Sequence, residues 1–320
     1  MPATERDLAR AAAILRQGGL VAFPTETVYG LGGDATSDRA VAQIFAAKGR
    51  PSFNPLIVHV LDLSEAERLG QFGETAKRLA AAFWPGPLTL VVPRPANSPI
   101  SMLASAGLPS LAIRVPAHPL AQALLREVQL PLAAPSANPS GRISPTAPEH
   151  VEQGLGDNVD MILDGGSCAI GLESTIVCCL ESEPMLLRPG GVPRSAIEDV
   201  LGERLAAAHS GSEKSEPSRP LAPGQLASHY APRAQIRLNA EAPQPGEAWL
   251  GFGADPEGIG AISRNLSPSG DLMEAAANLF RFLHDLDGSG VAAIAVAPVP
   301  NAGLGEAIND RLMRAAAPRP

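Results

Sequence analysis

The chain has 320 residues, 45% of them apolar, with 31 glycines, 32 prolines and a formal net charge of −8. That length exceeds one ordinary hydrophobic core, the Gly and Pro content stays below that of disordered chains, and the acidic balance excludes a surface built for nonspecific nucleic-acid binding. No apolar run reaches the ~20 residues of a membrane span, and MPATERDLAR is charged and helix-like rather than a secretion signal, so a soluble cytoplasmic protein with no membrane partner is expected.

Aromatic residues make up only 4%, so the core must be aliphatic. Residues 4–18 pattern as an amphipathic helix, with Thr4 as cap and Gly18-Gly19 as stop. An apolar strand follows at 20–23, then a helix at about 37–48 with Val41, Ile44 and Phe45 inward, then a strand at 56–60. Helices at roughly 64–83 and 117–128 alternate with strands near 87–92, 111–115, 131–134, 160–164 and 175–180. This alternation predicts an α/β fold with a mixed sheet. Residues 206–233 are rich in Ser, Pro and Gly without a sustained period, and read as a linker. Beyond it, strands at 235–238, 248–252 and 291–296 and helices at 271–285 and 303–316 predict a second α/β unit. Three parts are expected: 1–205, a linker at 206–233, and 234–320.

Three cysteines, Cys168, Cys178 and Cys179, form no CxxC pair, which fits a reducing compartment and buried thiols. Chemistry concentrates elsewhere. Phe23-Pro-Thr-Glu-Thr-Val-Tyr-Gly-Leu-Gly-Gly-Asp34 runs from a strand into a Gly-rich segment, read as a turn opening a helix that suits an anion. Gly30-x-Gly32-x-x-Ala35 matches a dinucleotide fingerprint, but Pro24 interrupts the join and no acidic residue follows at the required spacing. A tight turn needing positive φ explains the glycines alone, though not Thr25, Thr27 and Tyr29 beside them.

Only three of the 25 basic residues are lysines, and one opens Lys48-Gly-Arg-Pro-Ser-Phe-Asn-Pro-Leu-Ile-Val-His59. Lys48 with Gly49 suits a helix C-terminus, while Lys48, Arg50 and Asn54 together suit a polyanion such as triphosphate. His59 fits equally a core histidine and a ligand. A third loop, Ala134-Pro-Ser-Ala-Asn-Pro-Ser-Gly-Arg-Ile-Ser-Pro-Thr146, leaves an apolar strand carrying Ser136, Asn138, Ser140, Arg142 and Ser144. It reads as a ligand loop or as an ordinary Pro/Ser turn cluster. Glu173-Ser-Thr-Ile-Val177 begins a strand and Leu187-Arg-Pro-Gly-Gly191 ends one. No Ser–His–Asp arrangement is apparent.

These five motifs, in this order and spacing, resemble the YrdC-like family over about residues 10–195. The linker with Ser228-His-Tyr-Ala-Pro232 and the small last unit resemble its long two-domain branch, the threonylcarbamoyl-AMP synthases. The resemblance implies a mixed twisted YrdC-like sheet with flanking helices, plus a smaller Rossmann-like C-terminal α/β domain. It implies a nucleotidyltransferase that joins L-threonine, bicarbonate or CO2 and ATP into threonylcarbamoyl-adenylate with release of pyrophosphate. A partner transferase then modifies tRNA with the product. Such chemistry needs positioning and cationic stabilisation more than a protein nucleophile.

By the same resemblance Thr27, His59, Arg114, the Ala134 backbone and Ser174 hold threonine, with Arg114 suited to its carboxylate. Arg50, Asn54, Ser110, Ser136, Asn138, Ser144 and Arg188 hold ATP, Lys48 and Arg50 carry the catalytic charge, and Tyr230 closes over the nucleotide. Mg2+ enters with ATP, on phosphates and water, with no protein ligand assigned. The branch carries a more basic and aromatic segment before His-Tyr-Ala-Pro, where this chain has Pro223-Gly-Gln-Leu-Ala-Ser228. Two alternatives remain at this stage. One is a non-catalytic RNA-binding YrdC-like regulator, disfavoured by acidity and scarce aromatics. The other is a carbamoyl-adenylate relative in metallocentre maturation, whose zinc and acyl-phosphatase modules this chain lacks.

Overall fold

The computed structural model describes residues 3–181, 183–207, 222–223 and 228–318. Thr4 starts the first helix through a reciprocal cap: its hydroxyl accepts from the Asp7 amide at 3.3 Å and the Asp7 carboxylate accepts from the Thr4 amide at 2.9 Å. In chain order the large unit comprises α1 (Glu5–Arg16), β1 (Val21–Phe23), β2 (Gly30–Asp34), α2 (Asp38–Lys48), β3 (Ile57–His59), α3 (Leu63–Leu69) and α4 (Glu74–Phe83). It continues through β4 (Leu88–Pro93), β5 (Ser110–Arg114), α5 (Pro119–Val128), β6 (Leu132–Ala133), α6 (Pro148–Leu155) and β7 (Met161–Ile162). β8 (Thr175–Cys178), β9 (Met185–Arg188), α7 (Arg194–Leu201) and β10 (Ala206–Ala207) complete it.

These strands form one sheet in the order β10-β9-β8-β4-β5-β3-β6-β2-β1-β7, with parallel and antiparallel neighbours mixed. Residues alternate between its two faces with period two. Val58, Leu90, Ile113 and Val177 join one face, buried beneath α2, α3, α4 and α7. Ile57, Val91, Ala112 and Ile176 join the other. There, α1 and α5 cover one end around Phe23 and Leu132, and Ala222 of the linker covers the other. The strip between them is where the site lies.

The small unit has β11 (Gln235–Arg237), β12 (Glu247–Gly251), β13 (Ser263–Asn265), α8 (Leu272–Gly288), β14 (Ala293–Val296) and α9 (Leu304–Ala316). Its four strands are all parallel, in the order β11-β14-β12-β13. β13 escapes sequence reading because it is a short polar edge strand. The core of this unit includes Val28, Ile143, Leu172 and Tyr230, so it extends into the loops of the large unit.

Three sequence expectations need correction. The helix expected over 64–83 is two helices, α3 and α4, because Gly70 turns extended. A Cβ there would lie 2.6 Å from Val92 Cγ2. α6 and α7 have no counterpart among the helices expected from the sequence. The Gly-rich segment is a strand, β2, antiparallel to β1, rather than a turn opening a helix, so the dinucleotide reading falls. Its glycines serve close packing instead of positive φ: a Cβ on Gly32 would meet Phe23 at 2.7 Å. The large sheet also runs to Ala207, two residues past the expected end of the first unit at 205.

Candidate active site

Register builds the site. His59 ends β3 and pairs with Arg114 at the end of parallel β5. Arg114 pairs with Thr89 of β4, Thr89 with Ile176 of β8, and Ile176 with Arg188 of β9. Paired residues point to the same face, so five strands carry His59, Arg114, Thr89, Ile176 and Arg188 in one transverse row. The row lies on the strip left open by α1, α5 and the linker. Loops complete the walls: the β1–β2 turn with Thr25 and Thr27, the β6–α6 loop with Ala134 and Ser136, and Pro223, His229 and Tyr230. The enclosed cavity measures about 50 Å³.

Arg114 is almost wholly buried and its fork is engaged. It donates from Nε to Gly86 O at 3.2 Å, from Nη1 to Thr27 Oγ1 at 2.9 Å, and from Nη2 to Glu26 Oε1 at 2.6 Å. The second Glu26 oxygen accepts from the Ala117 amide at 3.0 Å. Burial pushes the Glu26 carboxyl up, but Arg114 and these hydrogen bonds outweigh it, so the group sits below the usual carboxylate range. Thr25 and Thr27 hydroxyls lie 2.8 Å apart, which orients Thr27 toward Arg114.

His59 is buried with Nδ1 unpartnered and its ring edge-on to Phe23. Burial, reinforced by Arg114, lowers its pKa to about 3, so it is neutral. Ser174 Oγ is 2.7 Å from Thr89 Oγ1. Arg188 donates to Ser174 O at 2.8 and 3.1 Å and to Ser174 Oγ at 3.1 Å. The turn after Arg188 approaches closely: a Cβ on Gly190 would lie 2.4 Å from Glu173 O and Thr175 N. Among the described residues Arg50 donates to the carbonyls of Asn54 and Pro55, at 3.3 and 3.0 Å, and burial lowers its pKa to about 10, leaving it charged. Among the described residues neither Arg50 nor Arg188 forms an ion pair.

Thus Thr27, Arg50, His59, Arg114, Ala134, Ser136, Ser174, Arg188 and Tyr230 line the cavity. Lys48 does not. It ends α2, whose cap is left-handed Gly49 at φ 58°, and its ammonium donates to Ser136 O at 2.5 Å and to Asn138 O. Lys48 therefore clamps the β6–α6 loop, while burial and Arg50 push its pKa well below the usual lysine range. Asn138 holds the same loop through Pro139 O and Arg142 O at 2.8 and 2.9 Å. Asn54 is buried with both amide atoms unpartnered, behind Arg50. Ser110 starts β5, buried at the far end of the strand from Arg114. Ser144 donates to Glu173 Oε1 at 2.5 Å and acts one residue back from the wall.

Tyr230 is buried at φ 63°, a left-handed conformation costly for a non-glycine residue. Its ring packs on Phe280 of α8, and its hydroxyl has no partner among the described residues. The strap is stitched to the loop by the Ala231 amide, which donates to Gly141 O at 2.8 Å. Gly224–Ala227, where the linker departs from the branch, lies outside the described residues. Sequence reasoning missed Glu26, Thr89, Glu173 and His229. The two acids were detectable: Glu26 stands alone among the neutral residues 23–33, and Glu173 alone in 173–177, and an acid so placed beside apolar strands requires a buried cation. Cys168 and Cys178 are buried as expected, whereas Cys179 is half-buried, and burial pushes Cys168 and Cys179 up to about 12.

A family model described as "Telomere recombination" (Sua5, YciO and YrdC) matches residues 13–190, and one described as the C-terminal domain of threonylcarbamoyl-AMP synthase matches 192–317. The chain belongs to this two-domain family. It is 43% identical to the threonylcarbamoyl-AMP synthase of Bacillus subtilis, over 98% of this chain and 93% of that one. It is 40% identical to the Pyrococcus abyssi enzyme, over 95% and 92%. The crystal structure of P. abyssi Sua5 complexed with L-threonine superposes with a TM-score of 0.90, at 38% identity, covering 99% of this chain and 96% of that one. Escherichia coli YciO matches 58% of this chain and 90% of its own, with a TM-score of 0.54 and 25% identity.

Proposed function

We propose the following reading of the cavity. The enzyme forms threonylcarbamoyl-AMP and pyrophosphate from L-threonine, CO2 or bicarbonate, and ATP. The observation that carries the ATP assignment is the pair of buried guanidiniums, Arg50 and Arg188, that lack an ion pair among the described residues. Buried cations of this kind call for an anionic ligand, and a triphosphate supplies one. Arg114 receives the threonine carboxylate, sharing or exchanging its contact with Glu26. Neutral His59, through its unpartnered Nδ1, with Thr27, Ser174 and the Ala134 backbone, orients the amine that becomes the carbamate.

The carbamate oxygen attacks the α-phosphorus and pyrophosphate leaves. Both reactants are anionic, so the work of the protein is to hold them in line against repulsion. Arg50 and Arg188 supply charge directly. Lys48 contributes by fixing Ser136 and Asn138 in the loop that faces the nucleotide, Ser144 supports the same loop through Glu173, and Asn54 backs Arg50. Mg2+ travels with ATP. The carboxylates beside the cavity, Glu26 and Glu173, already have both oxygens engaged, so its ligands come from phosphate and water.

A cavity of about 50 Å³ falls well short of the ~300–1,000 Å³ typical of small-molecule sites. The strap bearing Pro223, His229 and Tyr230 therefore moves to admit ATP and returns over it. We divide the chain into a catalytic unit that runs to Ala207, a linker up to 233 that carries Pro223, His229 and Tyr230, and the small unit at 234–320. We locate the enzyme in the cytoplasm, where ATP and reduced thiols coexist, upstream of a tRNA threonylcarbamoyl transferase. The test is pyrophosphate release by purified protein, expected only when threonine and bicarbonate are both supplied. Release indifferent to threonine overturns the reading.

A further inference from the structure

Glu173 stands directly before Ser174 on the cavity wall and is 5% exposed. One carboxylate oxygen accepts from Ser144 and the other accepts from Arg311 Nε at 2.8 Å. Arg311 belongs to α9 of the small unit and is fully buried. Its Nη1 donates to Asp310 Oδ2 at 2.6 Å and its Nη2 to Pro189 O at 3.0 Å, in the turn that follows Arg188. The guanidinium also lies 5.1 Å from the centre of the Tyr230 ring. One side chain from the second unit thus touches the acid before Ser174, the turn after Arg188 and the ring of the strap.

The placement answers an electrostatic problem. Glu173 borders a cavity that receives a triphosphate and a carbamate, and an unpaired carboxylate there repels both. It also draws Arg188, which stands close enough to help keep the acid ionised. Pairing Glu173 with Arg311 releases Arg188 for substrate. The ionised acid in turn takes the only hydrogen of Ser144, so Ser144 Oγ presents lone pairs alone. It can then accept a hydrogen bond but not donate one.

We propose that Arg311 is a positioning residue for ATP, a cation supplied by the small unit that fixes Glu173 against Ser144 and leaves Arg188 available to the phosphates. The inference rests on the assignment of this cavity to ATP. It gives the second unit a direct part in the site.

Full-length Arg311→Met, Arg311→Lys, Glu173→Gln and the Arg311→Met/Glu173→Gln double variant are compared by steady-state pyrophosphate release and by melting midpoint. Arg311→Met is expected to raise the KM for ATP on the order of tenfold, because one partner of a buried pair is left alone. The KM for threonine changes far less. The double variant, with no charge on either side, recovers most of the ATP affinity. Arg311→Lys keeps the charge without the fork and falls between wild type and Arg311→Met.

A merely structural arginine predicts lower melting midpoints with both KM values of the folded enzyme intact, and that result overturns the proposal. So does a double variant no better than Arg311→Met. Should Arg311→Met fail to fold, Arg311→Lys decides: an ATP KM equal to that of wild type overturns the proposal. A wild-type enzyme indifferent to threonine overturns the functional reading itself. A threonine-dependent wild type with insensitive Arg311 variants overturns only this inference.

Discussion

Two buried carboxylate–arginine pairs flank the same cavity and differ in kind. Glu26–Arg114, at 2.6 Å, lies within the large unit, with the arginine in the transverse row that faces substrate. Glu173–Arg311, at 2.8 Å, joins the two units, with the arginine sealed behind the wall. The first arginine lines the cavity and can trade its acid for a substrate carboxylate. The second does not line it, and each of its three nitrogens is engaged by protein. Both pairs bury opposite charges, so burial alone does not distinguish a binding group from a fastener. Access of the guanidinium to the cavity does.

The largest test of this contrast is Arg50→Ala, which removes a cavity cation that forms no ion pair among the described residues. Threonine-dependent pyrophosphate release should fall on the order of a hundredfold or more while the melting midpoint hardly moves. A large loss of stability would make Arg50 a fastener instead. Next is Glu26→Gln, which leaves the Arg114 charge buried without its counterion and should cost about 3–5 kcal/mol of unfolding free energy. Saturating threonine should then raise the melting midpoint of the variant more than that of wild type, because the substrate carboxylate replaces the lost acid. Equal shifts would place the threonine carboxylate elsewhere.

A smaller effect comes from the buried histidines. His59 and His229 have folded pKa values lowered to about 3 by burial, against ~6.5 in the unfolded chain. Their contribution is full above pH ~6.5 and is lost as pH falls toward 3, because the unfolded state takes up protons that the folded state refuses. Each histidine should cost up to about 1.4 kcal/mol per pH unit through that window, read from denaturant midpoints between pH 7 and 4. A flat profile would mean that the site admits the imidazolium. The smallest effect is expected for Tyr230→Phe. The buried hydroxyl has no partner among the described residues, so its removal should stabilise the fold by about 1 kcal/mol, and any loss should appear in ATP binding alone.

Much of the site was legible in the chain. Motifs rich in Thr, Ser, Arg and Asn between apolar strands marked loops that carry ligands, and Arg50, His59, Arg114, Ser174 and Arg188 all reach the cavity. Lys48 was legible as a helix-ending cation, but its ammonium turns away from α2 to clamp the Ser136 and Asn138 carbonyls, and that depends on a loop some ninety residues away. The glycines of β2 misled because glycine needed for close packing and glycine needed for positive φ look identical in sequence. The Gly70 break was hidden for the same reason.

The order of elements, the two α/β units and the residue types of the site follow from the sequence, since periodicity and turn chemistry are local properties. Tertiary structure decided which of those residues are neighbours. His59, Arg114 and Arg188 are far apart in the chain and become one row only through the register of β3, β5, β4, β8 and β9. The acids that accompany the arginines, and the reach of Arg311 from the second unit to the first, depend on the same long-range packing. A charge in sequence is a composition until a fold selects the opposite charge it is buried against.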